Sequence, residues 1–266
     1  MTLALIAIAI LYSLGWYRLS RALPGSISGL RLAAFMVGIA ALWVVIGSQI
    51  AELDHHLLTA HMVQHLVIMV VAAPLILLGT PSITLLHPLP RRFVRHAFEP
   101  LLGWHPVQRL GRVCAHPAFC WLAGTITVMT WHVPVVFDLA RRSDHWHELE
   151  HACFFAAGLL FWWPVIQPSP SVAASPRWSI PLYLFLATLP CDALSAFLTF
   201  CDHVVYRPYL SAHGSFHLDP LQDQALAGSL MWVTVTFAYL IPAVAVMIQI
   251  LSGPPRHTSN AEVLLK

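Results

Sequence analysis

Apolar residues in this chain fall in long unbroken runs, unlike the short alternating patches of a water-soluble fold. Crossing a hydrocarbon core of about 30 Å takes about 20 helical residues. Seven runs meet or approach that length: 2–17, 32–51, 57–79, 117–137, 149–167, 178–201 and 224–251. They predict an all-α polytopic membrane protein, a single seven-helix transmembrane domain over 1–266. The first run is short, but Met1-Thr2-Leu3-Ala4 has no basic start and no small-residue cleavage site follows, so it reads as a retained helix. The last run is long and carries Pro242, which predicts a tilt or bend. The longest polar connection, 82–116, mixes Arg91, Arg92, Arg95, Arg109 and Arg112 with Phe93, Val94, Phe98, Leu101 and Leu102. That mixture predicts a cytoplasmic interfacial loop with a short amphipathic helix on the membrane surface.

Composition sharpens this picture. Residues are 58% hydrophobic and only 10% charged, against about 25% charged in soluble domains. A soluble enzyme and a nucleic-acid binder are thereby excluded. Cys120, Cys153 and Cys191 sit inside apolar runs, and the odd total of 5 Cys gives no disulfide framework. Orientation follows from the basic residues, which resist translocation. Arg18, Arg21, Arg31, Arg91, Arg92, Arg95, Arg109, Arg112, Arg177, Arg256 and Lys266 fall on one side, and only Arg141, Arg142 and Arg207 on the other. The N-terminus is therefore expected outside and the C-terminus in the cytoplasm.

With that orientation, the histidines become the main chemical signal. There are 16, more than the 14 Lys and Arg or the 12 Asp and Glu. His55, His56, His61, His65, His132, His145, His147, His151, His203, His213 and His217 fall outside or in the outer half of a span, and most carboxylates accompany them. An outer face rich in imidazole and carboxylate suits contact with cations. Two pairs are sharper than the tally. In His61-Met62-Val63-Gln64-His65 and His147-Glu148-Leu149-Glu150-His151 the rings stand at i and i+4, on one helix face. At 1.5 Å per residue, His61 and His65 lie about 6 and 12 Å below the outer boundary, with His132 and His151 at similar depth. Asp192 and Asp223 can add carboxylate to the same layer.

A lone intramembrane His is often just an interhelical hydrogen-bond partner. Several in one layer are hard to satisfy that way, so His61, His65, His132 and His151 together favour a ligand site. Asp192 alone reads as a partner of a neighbouring His or of Ser195. Imidazole suits copper, zinc, iron or nickel, and Met62 and Met69 tilt the choice slightly towards copper. Two axial His on different spans would instead hold a heme, and spacing does not separate these cases. No CxxCH, GxGxxG or P-loop occurs, and the chain is not expected to be an enzyme.

Further stretches extend the pattern: Ala73-Pro74, Gly79-Thr80-Pro81, Trp131-His132-Val133-Pro134, Gly158-Leu159-Leu160-Phe161-Trp162-Trp163-Pro164, Asp223-Gln224 and Met231-Trp232. With the two His pairs, in this order over about 55–240, they resemble the multi-span CtaG family, assembly factors of caa3-type cytochrome c oxidase. The resemblance implies a bacterial protein of the respiratory chain, multi-pass in the cell inner (plasma) membrane, that matures a heme-copper oxidase, by handling copper for it. It carries metal positions over to His61, His65, His132, His147, His151 and Asp223. Expected partners are cytochrome c oxidase subunits, a periplasmic copper chaperone as donor, and the lipid bilayer. A bis-His heme redox protein and a copper transporter are the competing readings. The inner halves of the spans hold few ionisable residues, which ranks transport last. Orientation is checked directly by a reporter active only in the periplasm. It is expected to be silent when fused after Lys266 and active near Ser143; the reverse pattern would move the histidine layer to the cytoplasmic side.

Overall fold

The computed structural model describes residues 2–22, 28–88, 96, 103–166, 176, 178–210 and 218–252, apart from the side chains of Ile50 and Ile83. Among these the chain is helical, without a strand. Helices α1 (Thr2–Ala22), α2 (Gly29–Gly47) and α3 (Leu58–Leu78) are followed by the short α4 (Pro81–Leu86). After α5 (His105–Cys114), α6 (Pro117–Trp131) and α7 (Pro134–Arg142) come the long α8 (Asp144–Ile166), α9 (Ser179–Phe200) and α10 (Pro220–Leu251). Six of them, α1, α2, α3, α8, α9 and α10, are long and apolar enough to cross a membrane. The α5–α6 pair, bent by 68°, makes a seventh if counted as one span.

The fourth expected run, 117–137, is divided. Val133 precedes Pro134, whose ring disfavours helical backbone at the residue before it, and Val133 is extended, with ψ 125°. Thus α6 ends at Trp131, about 22 Å long, and Pro134 starts α7 at a position where its missing N–H costs nothing. The fifth run grows the other way. Its helix starts at Asp144, five residues before the apolar stretch, with an acidic residue in the first turn facing the helix dipole. In α10 the helix continues through Pro242. Most of the expected interfacial loop at 82–116 and of the turn at 168–176 lies outside the described residues, as do Arg177, His213, His217, Arg256 and Lys266. Within the loop, α5 buries none of its residues.

Lipid-facing positions carry large apolar residues: Ile10, Ile126, Phe185 and Phe237 are each more than half exposed. Polar backbone has no partner in hydrocarbon, so helices with apolar outer faces are what such a medium selects. Inside, Phe161 packs against Tyr183 and Tyr239 at ring distances of 5.1 and 5.0 Å. The cysteines are all free. Asp192 does not pair with Ser195: Asp192 Oδ1 and Ser195 Oγ are both buried without a hydrogen-bond partner.

Two features shape the end of the bundle where α3 and α8 begin. A π-helical turn, Val67–Ala72, interrupts α3. Such a turn loosens the regular ladder, and the Met69 carbonyl accepts a 2.9 Å hydrogen bond from Trp162 Nε1 of α8. At the same crossing Gly158 lets the helices touch; a Cβ there would stand 3.0 Å from both the Met69 Cα and the Ala73 Cβ. The loop 201–210 covers this end. Tyr206 donates to the His132 carbonyl (3.0 Å), Tyr209 to the Asp54 carbonyl (2.8 Å), and Gln224 accepts from the Val205 N–H (2.7 Å). Replacing Gly158 by Val is expected to push α8 off α3 and cost about 1–3 kcal/mol, the usual range for overpacking. A lower melting temperature in detergent checks this, with Gly158→Ala intermediate.

Candidate metal centre

Three separate stretches bring ionisable side chains to one buried point. α3 presents His61 and His65 one turn apart, and α8 presents His147, Glu150 and His151 on its facing side. The 3-10 turn Gln49–His55 between α2 and α3 delivers Asp54. That turn is tied to α3 by Gln64, whose amide donates to the Ala51 carbonyl at 2.9 Å. His61, His65, Glu150 and Asp54 have side chains 5% exposed or less.

His61 Nε2 and His65 Nε2 stand 2.8 Å apart. Glu150 Oε1 is 3.6 Å from the first and 3.4 Å from the second. Donors about 2.0–2.2 Å from a tetrahedral ion are about 3.3 Å from one another, so this triangle has the dimensions of one face of a metal site. A second group stands behind it. Asp54 Oδ2 lies 3.0 Å from His147 Nε2 and 3.9 Å from His61 Nδ1, and Arg141 Nη1 donates to the same oxygen at 3.2 Å. The guanidinium already answers the Asp54 charge, so the second group orients His61 and His147 better than it would hold a cation. Burial pushes the Asp54 carboxyl up, but the imidazoles of His147 and His61 and the Arg141 charge outweigh it and hold the group well below the usual carboxylate range.

With neutral imidazoles, two carboxylates against one guanidinium leave an excess negative charge in a dry interior, a state that a cation relieves. Hydrogen bonding points the same way. His61 Nδ1, His65 Nδ1, Glu150 Oε2 and His151 Nε2 are all buried without a hydrogen-bond partner. Buried polar atoms are nearly always satisfied in folded proteins, so these atoms are available as ligands or for further hydrogen bonds. The donor set of two imidazoles and a carboxylate fits a borderline divalent ion such as copper or zinc.

Residues 10–252 match the family of cytochrome c oxidase caa3 assembly factors (Caa3_CtaG), and the chain belongs to that family. Similar curated proteins include two from Mycobacterium bovis and Mycobacterium tuberculosis, each 26% identical over 226 residues, and one from Mycobacterium leprae, 25% identical over 223 residues. All three are described only as uncharacterized. These matches cover 82% of this chain but 34% of each relative, so the chain spans about a third of the length of the curated relatives it matches. No solved structure matches.

Of the residues expected at a metal site, His61, His65 and His147 fall within the two ligand groups. His151 stands beside them, its ring 4.3 Å from that of His147 and 5.6 Å from that of His65. His132 is in neither group. Its Nδ1 donates to the Val128 carbonyl at 2.7 Å, and its ring meets Phe154, which in turn lies against His65. Asp223 is employed elsewhere: its carboxylate accepts from the backbone N–H groups of Leu58 (2.6 Å) and Thr59 (3.1 Å) and from the Thr59 hydroxyl (2.6 Å). It caps the start of α3 in place of Leu57, which offers no capping side chain. Glu150, Asp54 and Arg141 were not singled out from the sequence. Glu150 was detectable, being three residues after His147 and thus on the same face. Asp223→Ala is expected to leave two buried N–H groups unmet and lower stability by about 1–3 kcal/mol, while metal stoichiometry at saturation stays that of the wild type. Thermal melts and metal analysis of one preparation check both halves; lost stoichiometry with an unchanged melt would make Asp223 a ligand.

Proposed function

We propose that this chain spans the bacterial plasma membrane seven times with its histidine-rich end outward. There it holds copper between His61, His65 and Glu150 and assists insertion of that copper into cytochrome c oxidase. Copper is cargo in this reading, and no covalent step is involved. The observation that carries it is the triangle of two imidazoles and a carboxylate, buried and incompletely hydrogen-bonded, in a chain of an oxidase assembly family. A cavity of about 460 Å³, walled by Leu5, Leu42, Ile46, Glu148 and His151 among others, gives the imidazole layer a route to the outside between α1, α2 and α8. The heme alternative is less well supported. A bis-His heme needs two imidazoles from different spans on opposite sides of one iron, whereas His65 Nε2 is engaged with His61 and Glu150.

The test combines the isolated protein with the cell. Purified wild type is expected to retain copper, and the His61→Ala, His65→Ala double variant to lose it. Glu150→Gln, nearly isosteric, is expected to weaken binding more than tenfold because the only carboxylate of the triangle becomes neutral. A deletion strain is expected to make the oxidase polypeptides but leave the copper centre incompletely occupied, with partial rescue by added copper through mass action. Unchanged copper stoichiometry in the double variant, or a fully loaded oxidase in the deletion strain, overturns the proposal. A Soret band that disappears in His65→Ala would replace it with the heme reading.

A further inference from the structure

We propose that the flank of α9 around Asp192 is a docking face for a transmembrane helix of another protein, one that brings a Lys or Arg side chain to the depth of this carboxylate. The inference is independent of the copper reading, because none of its residues belongs to the candidate metal centre.

Asp192 lies well inside α9, about 20 Å from its Ser179 end and about 12 Å from its Phe200 end at 1.5 Å per residue. At that depth in a hydrocarbon core of about 30 Å, the short Asp side chain does not reach the headgroups. The residue is partly exposed on the surface of the bundle, beside an apolar outer face of Phe185, Leu189 and Phe197, each more than half exposed. Ionisable groups in a span are costly and normally pair with one another or with backbone. The ion pairs among the described residues lie at Asp54, Glu150 and Asp202, none at Asp192. Its Oδ1 is shielded yet has no hydrogen-bond partner. Thr188, the polar side chain beside it, gives its hydroxyl proton to the Phe185 carbonyl at 2.9 Å. Protonation does not remove the cost, since a neutral carboxyl still presents a donor and an acceptor to hydrocarbon.

The carboxylate belongs to a polar stripe. Thr188, Asp192, Ser195 and Thr199, at i, i+4, i+7 and i+11, follow one line along α9. Thr199 shows where that line runs: a Cβ on Gly228 of α10 would stand 2.7 Å from its hydroxyl oxygen, so the stripe borders the α9–α10 seam. The Thr199 hydroxyl donates to the Ser195 carbonyl at 2.7 Å, whereas the Ser195 hydroxyl is fully buried and unpartnered. Polar side chains left over in this way bond membrane helices to one another. Lipid tails offer no donor, and a second copy of this chain meeting the same face across a two-fold axis would bring a second carboxylate to the first. A Lys or Arg brings both the opposite charge and several N–H donors. Such a residue is equally costly on an isolated span, so each helix relieves the other only where the two depths match, which makes the contact specific.

The test places the purified full chain, labelled on a C-terminal tag, in liposomes with a synthetic Leu-Ala helix of about 20 residues. The helix carries one Arg about 12 Å from one end, or Leu in its place. Energy transfer is expected to show the Arg helix associating at least tenfold more tightly than the Leu helix. Asp192→Leu is expected to abolish that preference and the isosteric Asp192→Asn to reduce it, with thermal melts and copper content as in wild type. Equal association of the two helices with wild type, or an Arg preference that survives Asp192→Leu, overturns the docking face while leaving the copper reading standing. In cells, a photo-crosslinking residue in place of the exposed Ala193 is expected to capture a membrane span that carries Lys or Arg. Adducts only with a second copy of this chain, or only with spans lacking both residues, overturn the proposal as well.

Discussion

Glu150 and Asp54 each hold a carboxylate at about 1% side-chain exposure inside a helical bundle, and the arrangement around them follows from the cost of that burial. Removing a carboxylate from water costs several kcal/mol even after the protein relaxes. Asp54 recovers this from Arg141 at 3.2 Å and His147 at 3.0 Å. Glu150 has no guanidinium beside it: its neighbours are the two Nε2 atoms of His61 and His65. The two carboxylates are therefore not equivalent. One is structurally answered and holds imidazoles in place, and the other keeps a charge to offer.

The helix ends are where the bundle can place such groups, because there the backbone itself needs partners. α3 begins against the Asp223 carboxylate of α10, so the position of His61, three residues in, is set by an interaction spanning 165 residues of sequence. α6 stops at the pre-proline Val133, which leaves His132 at its C-cap and the His132 carbonyl available to Tyr206. Tyr209 does the same for the Asp54 carbonyl. Two buried phenols thus fasten one covering loop to the backbone of two chemically active residues. The shell around the site is made of caps and turns that would be needed in any case to close these helices.

The spans were legible in the sequence because hydrocarbon selects long apolar runs, and six of the seven expected runs are helices long enough to cross a membrane, with shifts of a few residues. The shifts have local causes: Pro134 truncates the fourth, and the polar turn Asp144–Glu148 lengthens the fifth. The His61–His65 and His147–His151 pairs were legible because helical period alone puts each on one face. What period does not carry is the azimuth of one helix relative to another. His132 has suitable depth, yet Phe154 stands at its ring, and Asp223 has suitable chemistry, yet its oxygens are taken by Leu58 and Thr59. Asp54 and Glu150 read as part of an acidic surface because a carboxylate near a helix end is usually solvated. Only the packing of α8 against α3 and the fold-back of the 49–55 turn show that these two are not.

In the proposed copper reading, the number of donors bears on how the site would release its cargo. A structural ion is normally closed in by four protein ligands, whereas sites that exchange something keep a position open. The triangle of His61, His65 and Glu150 supplies three, from two helices that approach closely at Gly158. A fourth ligand must then come from outside the triangle, and an incoming acceptor can supply it before the protein's own donors let go. Exchange by ligand substitution avoids releasing a bare ion into a low-dielectric interior, which the cost of unpaired buried charge forbids. A carrier built on three donors is consistent with the membership of this chain in a family that assembles another protein's metal-containing enzyme.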